Sequence, residues 1–132
     1  MIEVAEGDLL VVRFSPMNFA KLWEAAEDEA EGCRVDGREV IYSVSTFGIR
    51  RTGAATIDDM ILEICREAPV GGKTVWLTTD KELEEAQFSV ELSEPPKHHY
   101  DVILGRELVS TDVQRLVDLL EPNRRRNPAW KR

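Results

Sequence analysis

The sequence predicts an α+β fold in which a single mixed β-sheet of about five to six strands packs with three main helices. Three observations carry that expectation. Apolar residues recur at helical spacing in three separated segments, near 19–30, 57–68 and 113–120. Short runs rich in branched and aromatic side chains stand between and after them. Phe88, Val90 and Leu92 alternate with Ser89, Glu91 and Ser93, the period-2 signature of a strand with one wet face. Strands alternate with helices up to residue 86, which favours some parallel pairing through crossovers. The segments 88–93 and 100–104, joined across Pro95-Pro96, are expected to pair antiparallel.

Residues 2–4 and 9–14 read as two strands about a turn at Glu6-Gly7-Asp8. The unbroken run Leu9-Leu10-Val11-Val12 suits a strand covered on both faces. Ser15 reads as an N-cap and Pro16 as the first residue of a helix whose stripe is Phe19, Leu22, Trp23, Ala26 and Ala30, with Gly32 ending it. Asp36-Gly37 is a turn signal that could close a hairpin with a short first arm. A strand follows at 39–47, then a loop or strand end at 48–55. Thr56 and Asp59 approximate a capping box for a helix carrying Ile57, Met60, Ile61, Ile64 and Ala68, which must stop before Pro69. Residues 75–77 form a short strand, and Thr79 with Glu82 boxes a helix of about two turns. After strands 88–93 and 100–104, Ser110 caps a last helix with Val113, Leu116, Val117 and Leu120 inward. Trp23, Ile61, Ile64, Leu77, Val90, Val102, Leu116 and Leu120 are the expected core.

The 132 residues are one domain's worth, read as 1–121 with a basic tail at 122–132. Residues 1–121 hold 12 basic and all 25 acidic side chains, a balance of −13, whereas the tail holds Arg124, Arg125, Arg126, Lys131 and Arg132, a balance of +5. Such a body is repelled at long range by nucleic acid and anionic membrane, and such a tail is attracted to both. Two cysteines, Cys33 and Cys65, are too few for a disulfide scaffold and fit a reducing cytoplasm. No apolar run reaches the roughly 18 residues of a membrane span, and the acidic start does not suit a signal peptide.

Four constellations bear on function. Gly71-Gly72-Lys73-Thr74 ends like a phosphate loop, but Glu67 stands where the first glycine belongs and a helix precedes the glycines, so a tight turn is expected. His98 and His99 are the sole imidazoles, able to act as base or acid, and as adjacent residues they should point to different surroundings. The helix at 19–31 crowds Glu24, Glu27, Asp28, Glu29 and Glu31, which is either a solvated coat or a docking face for a basic partner. Arginines are grouped as Arg50-Arg51 and as Arg124-Arg125-Arg126, the latter followed by Trp130, which should be partly buried on the body or on a second copy.

These features suit a non-enzymatic interaction or regulatory protein whose acidic surface binds a basic protein partner, or which self-associates, with no cofactor, metal or membrane involved. A second class is a small metal-free hydrolase or ribonuclease-like enzyme using His98 or His99. A third is a nucleic-acid-associated protein acting through the Arg/Trp tail. Arg50, Arg51, Arg124, Arg125, Arg126 and Trp130 are the candidate interaction residues.

Overall fold

Strand β1, Leu9–Arg13, is buried at every position, as its unbroken apolar run requires. In the computed structural model, which describes residues 2–131, it is followed by α1 (Phe19–Val35), β2 (Tyr42–Arg50), α2 (Ile57–Glu67) and β3 (Thr74–Thr79). Next come the short α3 (Asp80–Glu85), β4 (Ser89–Leu92), β5 (His99–Gly105), α4 (Ser110–Leu120), a 3-10 turn at Glu121–Asn123 and β6 (Arg124–Arg126). The fold is α+β: six strands in the order β4-β5-β2-β1-β3-β6 pack with three main helices and the short α3.

Every pairing in the described sheet is antiparallel. β2 and β3 run in the same direction and are joined through α2, but β1 lies between them and pairs with both. The expected crossover therefore exists, while the parallel neighbours it implied do not. β4 and β5 pair antiparallel from Ser89↔Ile103 to Leu92↔Tyr100, as the period-2 run predicts.

Alternation along β1 divides the core in two. Leu9 and Val11 meet Leu22 and Ala26 of α1 and Val113, Leu116 and Leu120 of α4. Leu10 and Val12 meet Met60, Ile61 and Ile64 of α2, together with Ile2, Val4, Val75 and Leu77. Six of the eight expected core residues are buried; Trp23 and Val90 are only half-buried and pack at the margin of the first cluster.

Several boundaries differ from expectation, each for a local reason. Residues 2–4 are not a strand, although Ile2 and Val4 are buried. Helix α1 begins one turn later than Ser15-Pro16 suggests, because Asn18 caps it, accepting from the Lys21 N–H at 2.9 Å. Met17 and Leu22 then meet in the same core cluster as a hydrophobic staple. The helix passes Gly32 and stops at the Asp36-Gly37 signal read as a hairpin turn. Gly37, at φ +68°, donates to the Arg34 carbonyl and Arg38 to that of Cys33, the two bonds of a Schellman motif. β2 continues through Gly48, where a Cβ would lie 3.0 Å from the Tyr100 ring and 3.2 Å from the Leu10 carbonyl oxygen. Val109, not Ser110, occupies the N-cap of α4, with no side-chain cap bond. The Thr56/Asp59 box of α2 is complete.

Candidate functional site

The arginines do not converge. Arg50 donates to the Gly7 carbonyl at 3.0 Å and lies 3.4 Å from Asp80, and Arg51 donates to the Val4 carbonyl, so both tie the first residues to the end of β2. The basic segment is not a free extension: Arg124–Arg126 is the edge strand β6, laid antiparallel on β3. Strand alternation splits its three side chains. Arg125, opposite Val75, reaches over the α2 face to Asp58 at 2.9 Å, an ion pair without a well-aligned hydrogen bond. Arg124 and Arg126, opposite Trp76 and Thr74, belong to the other face. A cavity of about 620 Å³ beside β6 is nevertheless lined by all three arginines, with the Arg125–Asp58 pair, Ile2 and Leu77.

Asn127, not Trp130, anchors the chain beyond β6. It is 1% exposed, its side-chain N–H donates to the Gly72 carbonyl at 2.9 Å, and its backbone N–H donates to the Lys73 carbonyl at 2.8 Å. The glycine pair that resembled a phosphate loop is the turn between α2 and β3, and its carbonyls hold this asparagine. Trp130 remains 44% exposed, and Arg132 lies outside the described residues. Both cysteines are free; burial pushes the Cys65 thiol up, against a weaker contact from Asn127.

The two histidines part company, as adjacent residues should. His98, at φ +67°, places Nε2 2.9 Å from Glu67 Oε1 and pins the β4–β5 loop to the end of α2. That hydrogen bond holds the Glu67 carboxyl below its usual range. His99 opens β5, packs edge-on against Phe47 at 5.3 Å, and its Nδ1 lies 2.9 Å from the Ser93 carbonyl oxygen. Its Nε2 is 2.5 Å from Ser45 Oγ and 3.8 Å from Asp101 Oδ1, a buried oxygen with no hydrogen-bond partner. The β2–β5 register assembles this group, since Ser45 pairs with Asp101 and Phe47 with His99.

Nearby, β1 ends while β2 still has Tyr42 to Ser45 to run. Arg13 fills the gap: it is 7% exposed, donates through Nη1 to the Ser45 carbonyl at 2.7 Å, and keeps an unpartnered Nε. Burial pulls its guanidinium below the ordinary value, opposed by Glu29 of α1. Glu29 in turn is pushed up, first by desolvation and then by Asp101, against the opposing charge of Arg38. Ser45 carried no motif in the sequence. Only the register places it beside an imidazole.

The outer face of α1 has a different character. Phe19 and Trp23 stack with ring centroids 5.8 Å apart at 22°, and neither is fully buried. They floor a shallow groove of about 530 Å³ whose rim is Ala20, Glu24, Glu27 and, from the start of α4, Ser110. Glu24, Glu27, Asp28 and Glu31 are all exposed. Lys21 stands 3.9 Å from Glu24 and Arg34 3.1 Å from Glu31, while among the described residues no cation lies within 4.0 Å of Glu27 or Asp28. The sequence marked the acids but placed the aromatic pair wholly inward.

Among the described residues no group of three or more His, Cys, Asp or Glu side chains could hold a metal ion, and no helix is long and apolar enough to cross a membrane. No family model, curated protein or solved structure matches the chain.

Proposed function

We propose that the protein is a binding module that engages a basic protein segment through the outer face of α1. One observation carries this reading: the half-exposed Phe19–Trp23 stack sits beneath the acid rim of Glu24 and Glu27. Interfaces gain most of their affinity from a few aromatic or arginine anchors in desolvated pockets, ringed by polar groups. A cationic amphipathic helix meets both demands, placing an apolar residue on Trp23 and lysines or arginines against Glu24, Glu27 and Asp28. The unpaired acids also steer such a partner in, an effect that fades as salt rises.

The test uses two synthetic helical peptides of leucine and lysine or leucine and glutamate, titrated into the isotopically labelled full chain and followed by amide chemical shifts. The lysine peptide should perturb residues 19–31 and 110, and the glutamate peptide should not. Glu24→Lys with Glu27→Lys should weaken binding by roughly tenfold or more, equivalent to about 1.4 kcal/mol, without lowering the melting temperature. Perturbations scattered over the surface, or a charge reversal without effect, would reject the reading.

A further inference from the structure

We propose that Ser45 is a nucleophile, with His99 as its base, in an acyl-accepting site beside the notch where β1 stops short of β2. The hydrogen bonds fix the tautomer. Ser93 offers His99 Nδ1 a carbonyl oxygen at 2.9 Å, which can only accept, so Nδ1 carries the proton of the neutral ring. Nε2 then holds a lone pair, and the Ser45 hydroxyl, 2.5 Å away, must donate to it. A hydroxyl donating to an imidazole that a third group orients is the arrangement that raises serine nucleophilicity. Here the third group is a backbone carbonyl, and the edge-on Phe47 ring fixes the imidazole further.

One unpartnered buried oxygen gains a purpose in this arrangement. Asp101 Oδ1, 3.8 Å from Nε2, has no hydrogen-bond donor, and it is placed to stabilise the imidazolium that forms when His99 takes the serine proton. Asp101 is a positioning and electrostatic group, since it lies on the Nε2 side of the ring rather than behind Nδ1. Arg13 holds the Ser45 carbonyl through Nη1 and so fixes the backbone that carries the serine. The His99 and Asp101 side chains are 15% and 21% exposed, so solvent reaches the group.

The step balances with an ester alone. Ser45 Oγ bonds to the acyl carbon, its proton passes to His99 Nε2 and from there to the alcohol or phenol oxygen, which leaves with the electron pair of the broken C–O bond and frees the nitrogen. Water, giving a proton to the same nitrogen, then releases the carboxylic acid and restores the serine. This activity is independent of the peptide-binding face of α1, so either can fail alone.

The probe is p-nitrophenyl acetate on the full chain, read as a burst of nitrophenolate and as the position of the acetyl group by tandem mass spectrometry. One acetyl on Ser45 is expected. His99→Gln should slow acetylation by about a hundredfold or more, Ser45→Ala should abolish the burst, and the exposed Ser89→Ala should leave it intact. Melting curves establish that the variants fold; if Ser45→Ala does not, the position of the acetyl group in the unaltered chain decides. Acetyl on lysine or on His99 itself, no burst, or a His99→Gln burst equal to that of the unaltered chain would overturn the proposal.

Discussion

Glu29 shows how one carboxyl can sit against the interest of the fold. Desolvation and Asp101 push its proton affinity up in the native state. A carboxyl raised on folding contributes stability that is complete below its unfolded value, near about 4.3, and is lost as pH rises through the folded value. Glu29→Gln removes that dependence. The variant should melt higher than the unaltered protein near neutral pH and alike at about pH 4, measured by thermal scans across the range. A variant less stable at neutral pH would show that the through-space attraction between Glu29 and the charges of Arg13 and Arg38 outweighs its desolvation.

At the scale of elements, β6 depends on a residue outside it. Three residues of edge strand gain little from pairing alone, but Asn127 fastens their end to the turn before β3. Its Oδ1 accepts from the Ala129 N–H at 3.0 Å, so that one buried side chain holds both the turn and the chain beyond it. Asn127→Ala would strand the Gly72 carbonyl and should cost about 1–3 kcal/mol in a denaturant titration. Trp130→Ala should cost far less, reversing the order of importance that hydrophobicity alone assigns. The elements legible in advance were those with complete local signals: the Thr56/Asp59 box, the Phe88–Ser93 alternation and the four-residue run in β1. The start of α1 was not, because Asn18 and Ser15-Pro16 are both good caps and only the seating of Met17 in the core chooses between them. β6 was hidden because Arg124, Arg125 and Arg126 have no strand pattern of their own; pairing with β3 makes them one. The Ser45–His99 contact spans 54 positions and rests on the β2–β5 register, which no local pattern encodes.

For the whole molecule, the sheet separates two apolar clusters that share no side chain. Ile64 of α2 and Leu116 of α4 lie in different clusters, each at most 1% exposed. Truncating either to alanine should cost about 2–5 kcal/mol. Since they touch no common neighbour within one cluster, the double variant should lose the sum of the two, within about 0.5 kcal/mol. A marked excess or shortfall in its denaturation midpoint would mean that strain passes through the sheet.

The central place of β1 has a consequence in time. Its amides are bonded to β2 on one side and β3 on the other, and its side chains are covered by helices on both faces. Water reaches these groups neither at an edge nor by the fraying of one helix; both layers must part first. Deuterium should therefore enter Leu10 to Val12 last of all, at the rate of global opening, while β4 and β6, each paired along one side only, exchange through local excursions long before. The most apolar stretch of the chain is thus also its slowest clock.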